Sequence, residues 1–432
     1  MLKTVTKNKT TLFWVLYALI SLYHLYIIAK TSVNVPFMDE WELFHPNSFF
    51  LEPNLHNLFK QHNEHILVLP NLIFLFFKWL NGFNILTLQV FNYIFYSLIT
   101  LLIIYFIKSS TKSRIVLFSS LVLLSPLNFE NHSWPFQIQW HLMAFFSILS
   151  YYLFFIKKEN MAFLVLSILL PFCIVYSLGA GLAVVSTQIA FFALVTLFDK
   201  SRLSKLDILY NIFYIFFSMF VIWFYFMNYQ KPASHPEIIF PYSGEFWKHF
   251  LSQLSLGVNS NSPNQIILGI IPLFLIYKNT QFVLKKWSLI SQLDKFIYGL
   301  SISFLGILMI ISLSRAGFGF NQALASRYFE YSAILFLIAL AQSYSLYTLK
   351  KRYLFIINFI LFYNMTFNFD FFTLYNSLRI ERLKGQTCLT KMINDDEGQI
   401  CKELYPGEIK GVIKGLKDSN LKLSFMEELK TK

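Results

Sequence analysis

Apolar residues run along this chain in long blocks separated by short polar stretches. The blocks cover residues 12–29, 85–107, 115–128, 141–156, 161–177, 183–198, 208–228, 264–277, 296–313, 331–349 and 353–369. A helix crossing a bilayer needs about 20 mostly apolar residues, with shorter stretches near the lower limit. The pattern predicts an all-α integral membrane protein with eleven transmembrane helices. One more apolar stretch, 66–80, has 15 residues. At about 1.5 Å per residue it reaches roughly 22 Å, short of a hydrocarbon core of about 30 Å. It reads as a helix lying in the membrane interface, ended by Asn81-Gly82.

Lysine and arginine set the orientation. With the N-terminus inside and 66–80 not crossing, the inner loops hold eighteen Lys and Arg, and the outer segments before residue 370 hold seven. Such an excess marks the cytoplasmic face. If 66–80 crossed as well, every later loop would invert. One arrangement competes: 66–80 crosses and 115–128 does not, which moves Lys108, Lys112 and Arg114 outside. The block at 12–29 follows Lys3, Lys7 and Lys9. It is longer than a signal-peptide core, and no small-residue cleavage site follows, so it is expected to remain as the first helix.

Composition agrees with a membrane protein. Charged residues make up 14% of the chain and the mean hydropathy is +0.53, against about 25% charged residues in soluble domains. The net charge of +13 is accounted for largely by the inner loops, and no nucleic-acid-binding signature accompanies it. A phosphate-binding Walker loop, a dinucleotide glycine fingerprint and a GxSxG elbow are all missing. Nucleotide-driven transport and serine hydrolysis therefore lose their usual support.

The organisation that follows is a polytopic domain, 1–369, with a first outer loop at 30–84, and a soluble segment, 370–432. In that last segment eleven Lys/Arg face ten Asp/Glu, and it falls on the outer side. Cys388 and Cys401 lie there, where an oxidising compartment permits either a disulfide or two thiols. Cys173 falls within a span, as a small apolar residue.

Polar chemistry collects on the outer face. Asp39 and Glu40 follow the first helix directly. A carboxylate at that place can deprotonate a hydroxyl as general base, or hold Mg2+ or Mn2+ against a phosphate, or merely cap a helix. His62, Glu64 and His65 form a second knot, His-Asn-Glu-His. Its two histidines, three apart, share one helical face, a spacing unlike the zincin motif. Substrate hydroxyls are the better ligands for it, with a cap for helix 66–80 as the plain alternative. In 129–140, Glu130, His132, Trp134 and Gln137 mix hydrogen-bonding groups with aromatic faces suited to a sugar, or to an interfacial belt. Arg315 and Arg327 are the only arginines of the outer loops before residue 370, and Tyr328 follows. Guanidinium groups at an interface grip phosphate with paired hydrogen bonds, whether of a substrate or of ordinary lipid.

The acidic pair in the first outer loop, followed by an interfacial helix on about eleven spans, resembles the GT-C superfamily of membrane glycosyltransferases. The set Met-Asp-Glu-Trp, His-Asn-Glu-His, Phe-Glu-Asn-His-Ser-Trp-Pro-Phe-Gln and Ala-Leu-Ala-Ser-Arg-Tyr is also similar to bacterial membrane proteins built like O-antigen-modifying glucosyltransferases of phage and surface-polysaccharide loci. The resemblance implies an active-site acid at Asp39, supported by Glu40. It implies a polyprenyl-phosphate sugar donor, a lipid-linked or surface glycan acceptor, and a bacterial inner membrane with a cytoplasmic N-terminus and a periplasmic C-terminus. Two other classes stay open: a flippase for a lipid-linked glycan, which calls for ionisable residues midway along helices, and a polysaccharide polymerase.

Overall fold

The computed structural model describes residues 2–110, 113–156, 161–199, 203–227, 229–258, 265–347, 371–395, 401–407, 409–418 and 421–430. The chain is an all-α membrane protein. Among the described residues, seven helices are long and apolar enough to cross a bilayer, and the only sheet is a hairpin of two-residue strands. Block 353–369 lies outside the described residues.

The order of the main elements is α1 (Leu2–Thr31), β1 (Gln61–His62), β2 (His65–Ile66), α2 (Val68–Asn81), α3 (Ile85–Ser110) and α4 (Arg114–Ser119). Then come α5 (Ile138–Ile156), α6 (Met161–Val175), α7 (Gly181–Phe198), α8 (Lys205–Phe226), α9 (Gly244–Leu256) and α10 (Gln265–Lys286). The chain continues with α11 (Gln292–Arg315), α12 (Phe329–Tyr347), α13 (Phe371–Asp395), α14 (Lys410–Asp418) and α15 (Ser424–Lys430). α12 is the central pillar: every residue from Phe329 to Ser343 is buried. α3, α4, α9, α10 and α11 pack around it, whereas α1 and α8 leave most of their surface to the surroundings.

The helix 66–80 reading can be traced through contacts. α2 begins where Leu69 N donates to Tyr176 O (3.2 Å) and ends where Gly82 O accepts from Ser424 N (2.8 Å). Directly after it, Ile85 N donates to Asn34 Oδ1 (3.1 Å), just past the end of α1. α2 therefore leaves and returns to the same end of the helical body. Gly82, at φ +66°, makes the left-handed turn that stops it, and a Cβ there would come within 2.8 Å of Lys422 O. Trp79 is 82% exposed, and Leu72, Phe76 and Leu80 are exposed beside it, a surface suited to lipid.

Block 115–128 is not one helix. It starts beside Phe13 of α1, against which Leu117 and Leu121 pack, and ends where Asn128 bonds Glu330. Between them the chain is α4 followed by two 3-10 turns, Ser120–Leu124 and Pro126–Asn128. Pro126 and the serines at 119, 120 and 125 disfavour a continuous helix. A broken helix at membrane depth must be shielded and its carbonyls satisfied. Residues 120–124 are all buried, and Tyr96 OH donates to Leu123 O (2.5 Å).

The C-terminal segment shares a core with the loop after α1. Val35, Phe37, Trp41, Phe44 and Phe50 pack with Leu404, Val412, Phe425 and Met426. Met38 N donates to Leu404 O (2.6 Å), Asn34 Nδ2 to Ser424 Oγ (2.9 Å), and Tyr405 OH to Glu42 Oε1. The described residues between 371 and 430 are thus built into the wall around the first loop rather than forming a detached appendage. Cys388 and Cys401 are joined in a disulfide, with Cα atoms 5.7 Å apart.

Candidate active site

Asp39 enters the site from a strained position. It lies in a 3-10 helix, Met38–Phe44, and Met38 before it has φ +48°, a region that side chains with a Cβ seldom occupy. The bond from Met38 N to Leu404 O holds that turn. Asp39 Oδ2 is 3.8 Å from His62 Nε2, and the Asp39 side chain is 38% exposed.

The His-Asn-Glu-His knot is a hairpin, not a helical face. His62 pairs with His65 across it, and Asn63, at φ +48°, takes the left-handed position that asparagine tolerates. The turn aims Glu64 inward. Its carboxylate makes a direct ion pair with Arg315 Nη2, and His235 Nε2 lies 3.1 Å from its other oxygen. His65 Nδ1 accepts from Gly179 N (3.2 Å), so the proton of the neutral ring sits on Nε2, which faces Glu64 at 3.4 Å. Burial and then His62 hold His65 down to about 3, so it is a neutral donor at physiological pH. Glu64 is accordingly the counter-ion of Arg315 in this arrangement.

Arg327 is set by Glu130. Glu130 Oε2 accepts from Arg327 N (3.1 Å) and from Ser326 Oγ (3.0 Å), and Asn131 Nδ2 donates to Arg327 O (3.0 Å). The guanidinium Cζ stands 5.8 Å from the Tyr328 ring centre, and its Nε is buried without a hydrogen-bond partner. Glu130 is thus a positioning residue for the arginine.

These pieces surround one cavity of about 420 Å3. Asp39, His62, Glu64, His65, Trp134, Gln137, Arg315, Arg327 and Tyr328 all line it, as do Gln139 and Trp140. Its other wall is apolar: Tyr225, Phe226, Tyr229, Ile238, Phe240, Ile310 and Leu313. Of that wall, Phe226, Ile238 and Phe240 are also exposed on the outside. A second cavity of about 480 Å3 shares Asp39, Trp134, Arg315 and Arg327 and is bounded by Glu130, His235, Leu378 and Glu381. The two spaces meet at the acid and the two arginines.

Two expected site residues do not face either space. Glu40 is fully buried; its carboxylate accepts from Phe37 N (2.9 Å) and Phe136 N (3.3 Å). Burial lifts it to about 7, against the opposing pull of Arg382, whose guanidinium covers Phe37 at 4.8 Å. Glu40 is a buried bracket between the first loop, the 134–137 turn and α13. With its oxygens so engaged, the Asp39–Glu40 pair does not fit a shared Mg2+ or Mn2+. His132 is likewise fully buried, with Nε2 3.2 Å from Glu330 Oε1, so it does not reach substrate hydroxyls from that position.

The sequence reading missed His235, Gly179 and the tyrosines Tyr225 and Tyr229. The tyrosines are spaced i, i+4, and their rings lie parallel, 6.0 Å apart; that spacing was a readable signal. Nothing local marked His235 or Gly179, which matter through contacts with residues more than a hundred positions away. Comparison of the chain with protein-family models and with curated protein sequences finds no match to either.

Proposed function

We propose that this chain is a membrane glycosyltransferase of GT-C plan, with eleven transmembrane helices. It transfers a sugar from a polyprenyl-phosphate donor to a lipid-linked or surface glycan such as O-antigen, at the outer face of a bacterial inner membrane. The observation that carries the reading is the convergence of Asp39, Arg315 and Arg327, from segments almost 300 residues apart, on two adjoining cavities. One of these cavities has an apolar wall. The apolar wall suits a polyprenyl chain entering from lipid, and the guanidinium groups suit its phosphate. The more polar space bounded by Glu130 and Glu381 suits a glycan hydroxyl.

In the reaction the acceptor hydroxyl attacks the anomeric carbon. Asp39 takes the hydroxyl proton as the new C–O bond forms, and the bond to the phosphate oxygen breaks with its electron pair. The configuration inverts. Arg327, with Arg315, offsets the charge gathering on the leaving phosphate, the kind of preorganised electrostatic stabilisation that usually contributes most. Trp134 and Gln137 hold the sugar. No step is assigned to a metal.

The test is sugar transfer by the purified full chain in vesicles supplied with polyprenyl-phosphate sugar and a glycan acceptor. Asp39→Asn keeps the shape and removes the base, so transfer falls by about 10²–10⁴-fold while the protein still folds. Full activity in that variant sinks the general-base role, and no transfer by wild type with any polyprenyl-phosphate hexose sinks the reaction class.

A further inference from the structure

Below the cavity, His132, His141 and Glu330 converge from three elements. One donor atom from each lies within 4.8 Å of the others, and the three side chains are at most 2% exposed. His141 Nδ1 is 2.6 Å from Asn92 Oδ1. Asn92 already donates its amide to Asn131 O (2.6 Å), so its oxygen accepts and His141 carries a proton on Nδ1. The other nitrogen, Nε2, faces Glu330 Oε2 at 2.9 Å. An imidazole lone pair and a carboxylate oxygen are both acceptors, and at that distance they need a cation between them. Glu330 Oε1 also lies 3.2 Å from His132 Nε2, which is not in hydrogen-bonding alignment with it, and His132 Nδ1 is buried without a partner.

A metal ion meets the need on both edges at once. Ligand atoms about 2.0–2.1 Å from a tetrahedral Zn2+ stand roughly 3.3 Å apart, near the 3.2 Å from His132 Nε2 to Glu330 Oε1 and the 2.9 Å from His141 Nε2 to Glu330 Oε2, so the carboxylate would face the ion with both oxygens. Two imidazoles and a carboxylate form a donor set suited to zinc and its first-row neighbours. Outer hydrogen bonds that orient such ligands are already in place, from His141 Nδ1 to Asn92 Oδ1 and from Asn128 Nδ2 to Glu330 Oε1 (2.6 Å).

We propose that His132, His141 and Glu330 form a closed structural site for one divalent transition-metal ion of the zinc type. The ion ties the 128–133 segment to α5 and α12. Through Glu130 and Asn131 the same segment fixes Arg327, and through Trp134 it forms part of the cavity wall. The proposal is independent of the reaction catalysed.

The experiment measures metal content by mass spectrometry on the full-length protein in detergent, expressed with zinc and dialysed against chelator-free buffer. One ion per chain is expected in wild type and in His62→Ala/His65→Ala, and none in His132→Ala/His141→Ala. Should that double variant fail to fold, Glu330→Gln and cobalt(II) loading decide. Wild type is then expected to show the ligand-field absorption of a low-coordinate cobalt site, and Glu330→Gln to lose it. Wild-type protein without stoichiometric metal, metal kept by the double variant, or an unchanged cobalt spectrum in Glu330→Gln overturns the proposal.

Discussion

Replacing Glu40 by glutamine isolates the energetic cost of a buried carboxyl. In the folded protein burial raises this group from 4.5 to about 7, so the native state holds its proton more tightly than the unfolded chain does. The sign follows from linkage. Stability from this group is complete below about pH 4.5 and is lost as pH rises through about 7. A shift of this size corresponds to about 3 kcal/mol across that window. Glutamine has one acceptor oxygen for the two N–H groups of Phe37 and Phe136, so Glu40→Gln carries a pH-independent cost of about 1–3 kcal/mol for an orphaned donor. The assay is thermal unfolding in detergent, followed by tryptophan fluorescence from pH 4.5 to 8.5, for wild type and variant side by side. Other titrations cancel in the difference. The advantage of wild type is expected to be largest at the acid end and to shrink or reverse above pH 7. A gap that is constant, or that widens with pH, refutes the account of Glu40 as a desolvated bracket.

Two other substitutions test the framework. A Cβ at Gly179 would meet His65 Nδ1 at 2.8 Å, Tyr225 OH at 2.9 Å and Glu64 O at 3.0 Å; Gly179→Ala is expected to lower transfer at least tenfold, with little change in the detergent unfolding temperature, and unaltered activity would show that the hairpin tolerates displacement. Lys295 and Asp199 form an ion pair with side chains 1% and 5% exposed; Lys295→Ala is expected to destabilise by about 3–5 kcal/mol by stranding Asp199, and Lys295→Met/Asp199→Leu by much less, measured by the same unfolding assay.

Much of the scaffold was legible because hydropathy reports burial in lipid directly. It was less legible wherever burial was in protein. α9 was read as loop, since Ser252, Gln253 and Ser255 interrupt its apolar side; these residues are buried against α11 and α12, where Ser332 and Ser312 bond Gln253. The break in 114–128 is written in Pro126 and its serines, but the packing of α1, α3 and α12 makes it tolerable. At the site, residue type gave away Asp39, Arg315 and Arg327, because charge at a membrane interface is costly without a role. The same logic misplaced Glu40 and His132. Each looks like a cavity residue in sequence, yet backbone amides claim one and a buried carboxylate faces the other. Helical spacing was the wrong ruler for His62 and His65, since Asn63 turns the chain between them.

The bond from Met38 to Leu404 has a consequence in time. The turn that presents Asp39 is held by a residue 366 positions later, and Glu40 faces an arginine almost as distant. At about 5–20 residues per second of synthesis, the first loop waits on the order of 20–70 s for its partner. During that interval Trp41, Phe44 and Phe50 have no Phe425 or Met426 to cover them. The turn at Asp39 is therefore assembled last although it is made first, so a ribosome-stalled or C-terminally truncated chain would insert its helices and yet leave that turn without the contacts that hold it.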